Sequence, residues 1–132
     1  MTTSTITSIL PYDIETVWHK VRDVKNYTWR SDISRTEVVN EKQFIEYTKD
    51  GFATTFTITL SEPCKRWEFD ILNDNMKGHW VGTFKPLGEE TEVTFTEDVS
   101  VNKIVMKPFV KGYLKKQQTL FLTDLRKALE NS

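Results

Sequence analysis

The sequence predicts an α+β fold of the order β-α-α-β6-α, in which a seven-stranded, curved antiparallel sheet surrounds one long C-terminal helix. Three observations carry this prediction. Apolar residues recur at helical spacing from Pro108 to Glu130. From Ile33 onward, apolar and polar residues alternate for about 70 residues. The segments between the alternating runs are short and rich in turn residues, so they can join antiparallel strands but are too short for crossover helices.

The N-terminal part of the chain supplies the first strand and the short helices. A strand rich in Thr and Ile is predicted from Thr3 to Leu10, and Pro11 ends it. Asp13 is the expected N-cap of a first helix, which ends near Asp23 and whose apolar residues recur at i, i+3, i+4 and i+7. The segment from Asn26 to Asp32 is predicted to form either a second short helix or a structured connection.

The alternating region is expected to form the other six strands and their hairpins. Turn residues such as Lys49-Asp50-Gly51 and Leu87-Gly88-Glu89-Glu90 separate these strands. A helix of about 23 residues is ~35 Å long, roughly the length of a ten-residue strand, so the C-terminal helix can lie along the sheet. Incomplete contact between the two leaves a hollow. The predicted strands are Ser34 to Val39, Gln43 to Lys49, Phe52 to Leu60, Arg66 to Leu72, Gly78 to Pro86 and Glu92 to Val101.

Three polar residues interrupt the apolar faces of these elements. Gln117 and Asp124 have angular positions among the apolar residues of the C-terminal helix, and Glu97 falls on the apolar side of the last strand. A buried polar group without a partner costs roughly 1–3 kcal/mol, so an ordinary core-facing helix avoids such positions. The interruptions are expected if the helix covers a partly wet cavity.

Composition limits the classes of function. A chain of 132 residues is expected to form one domain over 1–132. Its net charge of -1 gives no general attraction to nucleic acid, and no apolar run approaches the ~20 residues that stable membrane insertion needs. Cys64 is the single cysteine, so no intrachain disulfide forms, and a cytoplasmic location is expected. With two histidines and no HExxH motif, neither a metal site nor a cofactor is expected.

Aromatic and polar side chains supply the candidate ligand-binding residues. For the aromatics, filling of an ordinary core is the competing interpretation. For Glu97 and Asp124, the competing interpretation is that the carboxylate makes a structural hydrogen bond. If the chain is an enzyme, Glu97 and Asp124 are the candidate acid or base and Tyr113 the candidate proton donor. The complete candidate set is Phe56, Trp67, Phe69, Trp80, Phe84, Phe95, Glu97, Tyr113, Gln117, Phe121 and Asp124.

Four segments carry a resemblance to a known superfamily over essentially the whole chain. They are the strand-proline-helix opening Ile9–Trp18, Asp23 with Tyr27-Thr28-Trp29, the late hairpin Gly78–Phe84 with Thr91–Phe95, and the helix segment Tyr113–Gln117. In order and spacing they resemble the helix-grip (SRPBCC) superfamily, which includes START domains and Bet v 1-like proteins, and they are most similar to polyketide cyclase/dehydrase-like proteins. The glycine-rich loop of the plant Bet v 1-like branch is replaced by Asn40-Glu41-Lys42.

The resemblance implies a small-molecule cavity between the sheet and the long helix. The preferred function is binding of a hydrophobic or amphipathic molecule that is lipid-like, aromatic or polyketide-like, by a monomer or weak homodimer. Two alternatives stay open. One is a metal-independent cyclase or dehydratase that uses the same cavity, and the other is a protein-interaction or chaperone-cofactor domain. Fold membership leaves this choice to the pocket residues.

Overall fold

A computed structural model describes residues 1–131, which form one antiparallel sheet with a long helix packed on one of its faces. This architecture confirms the predicted fold class. Spatially, the seven strands follow the order β1-β7-β6-β5-β4-β3-β2, so the first strand pairs with the last and every other pair is a hairpin. The strands are β1 Thr2–Leu10, β2 Arg35–Asn40, β3 Gln43–Tyr47, β4 Ala53–Glu62, β5 Arg66–Leu72, β6 Met76–Leu87 and β7 Glu90–Val101.

Two helices accompany the sheet, and each begins where local chemistry allows it. Helix α1, Ile14–Arg22, starts after Asp13, whose carboxylate accepts hydrogen bonds from the backbone N–H and the hydroxyl of Thr16. Helix α2, Lys107–Glu130, follows a short 3-10 helix, Ile104–Met106, and carries a proline in its first turn. Among residues 1–131, no helix is both long and apolar enough to cross a membrane.

The predicted second short helix is wrong, because residues 23–34 form a series of turns. The backbone N–H of Ser31 donates to the carboxylate of Asp124 on α2, 2.8 Å away, rather than to a carbonyl of its own segment. Next to it, the Arg30 guanidinium bonds to Asp32 and Glu46. These tertiary contacts replace the ladder of local hydrogen bonds that a helix would need, so the segment is a structured connection, the other form considered for it.

A continuous apolar core lies between α1, the C-terminal half of α2 and the middle of the sheet. Trp18 of α1 meets Phe84 of β6 edge to face, with ring centroids 5.1 Å apart. Leu122, Leu125 and Leu129 of α2 are buried in the same cluster. The C-terminal half of the helix is therefore anchored in the main core, and a smaller buried cluster of Val99, Val110 and Leu114 holds its N-terminal half against β7.

A glycine shapes the sheet surface beside this core. A Cβ at Gly82 would lie 2.4 Å from a ring carbon of Trp80, so only glycine lets the indole fold back over this strand. Trp80 then stacks on Phe69 with centroids 4.7 Å apart and ring planes 4° from parallel. Because of this stacking, the Phe69 and Trp80 rings together form one flat aromatic surface on the sheet.

Candidate functional site

A cavity of about 250 Å³ lies between the sheet and the N-terminal half of α2. Strands β3 to β7, the connection after α1 and α2 itself all supply lining residues. For scale, an engineered cavity of ~150 Å³ accommodates benzene, and pockets for drug-sized ligands span roughly 300–1,000 Å³. The space therefore suits a molecule of one or two fused rings, or a longer one that extends out of the cavity.

Stacked and edge-to-face rings form the apolar wall of the cavity. On one side Phe44 stacks on Phe56 at 5.0 Å, and on the other Phe95 meets Phe121 of α2 edge to face at 5.6 Å. Trp67 is 97% buried in this wall, and its indole N–H has no hydrogen-bond partner among residues 1–131. Of the aromatic candidates, the cavity is lined by Phe56, Trp67, Phe69, Trp80, Phe95, Tyr113 and Phe121.

Glu97 places a carboxyl group against this aromatic wall. It follows Phe95 by two residues on β7, so the strand's alternation directs both side chains into the cavity. Its carboxylate has no side-chain hydrogen bond or ion pair among the described residues. Burial, together with the nearby charge of Glu46, raises the pKa of Glu97 to about 7. This carboxyl can therefore exchange a proton near neutral pH.

An ion-pair cluster that the sequence analysis did not find lines the same cavity. The Arg30 guanidinium lies 3.1 Å from Asp32 and 3.2 Å from Glu46, and the Arg30 and Glu46 side chains are only 14% and 15% exposed. Burial raises the pKa of Glu46, and the positive charge of Arg30 offsets only part of that effect. For Arg30, burial acts to lower the pKa, but the two carboxylates outweigh it and raise the pKa. Arg30 also lies over the Phe121 ring, 4.9 Å from its centroid.

A signal for part of this cluster exists in the sequence. Glu46 stands two residues after the buried Phe44 on β3, just as Glu97 stands two residues after Phe95 on β7. Alternation alone therefore places Glu46 on the inner face. Arg30 and Asp32 lie in a connection without periodicity, where no comparable signal exists.

Tyr113 and Gln117 of α2 lie where the cavity meets the protein surface. Both line the cavity, and Tyr113 is 51% exposed. With the exposed Phe109 they form a row at i, i+4 spacing along the helix. Burial raises the pKa of the Tyr113 phenol, and the charges of Glu97 and Asp32 add to the effect. The phenol therefore stays protonated at neutral pH and can donate a hydrogen bond.

Two of the candidate residues do not line the cavity. Asp124 is buried, but its carboxylate accepts hydrogen bonds from both the backbone N–H and the hydroxyl of Ser31, each at 2.8 Å. Phe84 is buried between Trp18 and Phe95 in the packed core. The structure thus corrects the placement of both residues. Asp124 accepts two tertiary hydrogen bonds, and the Phe84 ring fills the core.

The adjacent glutamines of α2 have different environments. Gln118, which the sequence analysis passed over, is only 4% exposed. Its amide accepts a hydrogen bond from the Ser4 hydroxyl at 2.8 Å and donates to the Ser4 carbonyl at 2.9 Å, so it ties α2 to β1. Gln117 is partly exposed and has no comparable side-chain bond. Both glutamines border the cavity, but the Gln118 amide is fixed by its bonds to β1, whereas the Gln117 amide has no comparable bond among residues 1–131.

The outer face of the sheet carries a separate polar cluster around His79. Its two ring nitrogens lie 2.7 Å from Glu68 and 2.7 Å from Asp70. Burial acts to lower the pKa of His79, but the two carboxylates outweigh it and raise that pKa. No group of three or more His, Cys, Asp or Glu side chains suited to a metal ion occurs within residues 1–131. His79 is not among the residues that line the cavity, and it lies on the outer side of β6, as the alternation predicts.

Comparisons with known proteins agree with this architecture. The model of a family described as "Polyketide cyclase / dehydrase and lipid transport" matches residues 1–130. Similar solved structures include a START superfamily protein from Mycobacterium smegmatis, with 18% identity, a TM-score of 0.88 and coverage of 98% of this chain and 97% of that one. A conserved protein from Geobacillus kaustophilus has 16% identity, a TM-score of 0.87 and coverage of 99% and 97%.

An enzyme is also among the similar structures. The Zhui aromatase/cyclase from Streptomyces sp. R1128 has 14% identity, a TM-score of 0.82 and coverage of 98% of this chain and 93% of that one. None of the curated proteins matches the sequence. At these identities the likeness extends to the fold, and the side chains of the cavity carry the argument about function.

Proposed function

The chain belongs to the polyketide cyclase/dehydrase and lipid transport family, and on this premise we propose that its cavity binds a hydrophobic or amphipathic small molecule. Family membership supports a ligand-binding or cyclase-type domain. The observation that carries the finer proposal is an aromatic-walled space of about 250 Å³ with a carboxyl group, that of Glu97, to which no side chain within residues 1–131 is hydrogen-bonded. A solid core would have filled the space and would not have kept the carboxyl.

Each part of the lining has a role in this proposal. The rings of Phe56, Phe69, Trp80, Phe95 and Phe121 supply apolar contact for the body of the ligand. Polar groups of Glu97, Tyr113 and Gln117 orient its polar end near the surface. This division places the apolar part deep in the cavity and the polar part next to α2.

The proposal is tested with 1-naphthylmethanol, a neutral two-ring probe of suitable size, by calorimetry and by tryptophan fluorescence, since Trp29, Trp67 and Trp80 line the cavity. Gln117→Trp adds a bulky side chain to the cavity lining and is expected to weaken binding about tenfold or more. Lys116→Trp, the same change at an exposed neighbouring position, is the matched control and leaves binding unchanged. Equal affinities for the wild type and the Gln117 variant would place the probe outside the cavity and reject the proposal.

Endogenous ligand gives an independent test. Native mass spectrometry of gently purified protein, followed by organic extraction, is expected to release a molecule of defined mass. If the protein releases no ligand and binds neither 1-naphthylmethanol nor other apolar probes, its cavity does not admit small molecules. That result would favour the protein-interaction alternative.

A catalytic role is the second candidate, because Glu97 has a pKa of about 7 inside the cavity. In a cyclisation, its carboxylate would remove a proton from the carbon between two carbonyls, and the Tyr113 phenol would donate a hydrogen bond to the developing enolate oxygen. Turnover of a short poly-β-ketone thioester that disappears in Glu97→Gln while binding persists would favour the enzyme. Equal turnover in both proteins would remove Glu97 from the chemistry.

A further inference from the structure

The charges that line the cavity are unbalanced. Three partly or largely buried carboxylates, those of Asp32, Glu46 and Glu97, face the space, and the lining contains no lysine. Arg30 is its single cation among the described residues. A cavity that evolved around an anionic ligand would show the opposite balance, because a buried ligand anion needs a cation or several hydrogen-bond donors.

The one cation is already engaged. Arg30 bonds to Asp32 through its Nε and one terminal nitrogen, each at 3.1 Å, and to Glu46 through its other terminal nitrogen at 3.2 Å. One positive charge is thus shared between two carboxylates. The cluster has more carboxylates than cations, and most of the N–H donors of Arg30 are already used, so little remains to receive a ligand carboxylate.

Glu97 adds a further carboxyl group to the cavity lining, from β7. It has no ion pair among the described residues, and Glu46 lies close enough for its charge to act on the Glu97 carboxyl. A second negative group at this point would be repelled from both sides. A protonated amine would be attracted by both, and its N–H donors would satisfy the free carboxylate oxygens.

We propose that the ligand of this cavity carries an amine as its polar group, that Glu97 binds the protonated amine with Glu46 close by, and that the cavity rejects carboxylate-bearing ligands. This inference rests on the binding function proposed above and adds the chemical class of the ligand. The apolar part of the ligand contacts the aromatic wall, and the ammonium group lies beside Glu97 of β7, on the side that faces α2. Desolvation of a lone cation in such a space would be costly without these carboxylates.

Amine binding is expected to depend on pH. Because the pKa of Glu97 is about 7, this carboxyl is largely protonated at pH 6 and largely ionised at pH 8, whereas an alkylamine stays protonated at both values. Affinity for the amine should therefore rise with pH. The other charged or titratable groups that line this space are Asp23, Tyr27, Arg30 and Asp32 from the connection, Glu46 from β3 and Tyr113 from α2.

Three isosteric probes test the inference: 1-naphthylmethylamine as the cation, 1-naphthylmethanol as the neutral reference and 1-naphthoate as the anion. The wild type is expected to bind the amine about tenfold more tightly than the carboxylate at pH 8, with a smaller ratio at pH 6. Equal or tighter binding of 1-naphthoate at pH 8 would overturn the inference. This comparison needs no variant, so it does not depend on a substitution that disturbs folding.

A variant then assigns the effect to one carboxyl. Glu97→Gln should lower amine affinity about tenfold and flatten most of its pH dependence, while the affinity for 1-naphthylmethanol, which carries no charge, changes much less. Glu92→Gln is the matched control, because Glu92 lies on the same strand but on the outer face, and it should alter nothing. Unchanged amine affinity in Glu97→Gln would refute the assigned role.

The neutral probe separates the two proposals. If 1-naphthylmethanol binds but the amine shows no preference over the carboxylate, the cavity binds small molecules and the inference about ligand class is wrong. If none of the three probes binds, the proposed function itself fails and the inference falls with it.

Discussion

The two halves of α2 have opposite relations to the sheet. In the C-terminal half, Leu122, Leu125 and Leu129 pack into the main core, and the one buried carboxylate, that of Asp124, bonds to Ser31. In the N-terminal half, Tyr113 and Gln117 face a cavity, and Glu97 opposite them has no side-chain hydrogen bond or ion pair among residues 1–131. One helix therefore packs into the main core through its C-terminal half and forms a cavity wall in its N-terminal half, where the buried apolar residues are only Val110 and Leu114, in a smaller cluster with Val99.

The difference shows how an open space persists inside a small domain. A cavity loses dispersion contacts and buried area, so the energy that holds the helix in place must come from elsewhere. Here the C-terminal half of α2 supplies this energy through buried leucine side chains and the two hydrogen bonds that Asp124 accepts from Ser31. This half should thus control stability, whereas the cavity wall should control ligand binding.

The largest expected effect contrasts alanine substitutions in the two halves. Leu125 is fully buried, so Leu125→Ala should lower the free energy of unfolding by about 2–5 kcal/mol. Tyr113 is 51% exposed beside the cavity, so Tyr113→Ala should cost less than about 1 kcal/mol while weakening probe binding. Urea denaturation measures both. Similar losses of stability in the two variants would mean that the helix is uniformly packed and the comparison fails.

A smaller effect concerns the two hydrogen bonds that Asp124 accepts from Ser31. Asp124→Ala leaves the Ser31 backbone N–H and hydroxyl without their acceptor, which should cost about 2 kcal/mol. Asp124→Asn keeps a carbonyl oxygen and should cost less. Thr123→Ala, at the exposed neighbouring position, is the control and should change stability by less than about 0.5 kcal/mol.

A double-mutant cycle identifies the partner in that pair. In a Ser31→Ala background the hydroxyl is already absent, so Asp124→Ala should cost less than it does in the wild type. Additive losses would show that Asp124 stabilises the helix through some other contact. Probe binding should persist in these variants, since Asp124 lies outside the cavity.

Alternation made most of the sheet predictable, together with part of the site. A strand reverses its faces at every residue, so Phe95 and Glu97 could be assigned to one side without knowledge of any partner strand. The predicted bounds of β5 agree with the structure, and those of the other strands differ by up to two residues at each end. Local periodicity is enough for this because the side-chain direction is a local property.

Tertiary contacts account for what could not be predicted. The buried position of Asp124 followed from its helical angle, but its partner Ser31 is 93 residues away in the sequence. Gln117 and Gln118 differ by one step of 100° on the helix, and which of them is buried depends on where β1 lies. Similarly, the Arg30 cluster forms in a connection that tertiary hydrogen bonds shape rather than periodicity.

The smallest expected effect has the opposite sign and concerns Glu97 in the cavity wall. Folding raises its pKa from an ordinary value of 4.5 to about 7, so between these pH values the folded chain holds a proton that the unfolded chain has lost. Stability should therefore fall as the pH rises through this window. The full cost would be about 3 to 4 kcal/mol at about 1.36 kcal/mol per pH unit, and partial contact with water reduces it to about 1 kcal/mol.

Glu97→Gln removes this cost, so the variant should unfold at the same urea concentration as the wild type near pH 4.5 and at a higher one at pH 8. The matched Glu92→Gln variant should follow the wild type throughout, because Glu92 lies on the outer face of β7. Parallel curves for the wild type and Glu97→Gln would mean that the Glu97 carboxyl is as well solvated as an ordinary surface group. The carboxylate of Glu97 would then be as well solvated or bonded as that of Asp124. The contrast between the two halves of α2 would rest on packing alone.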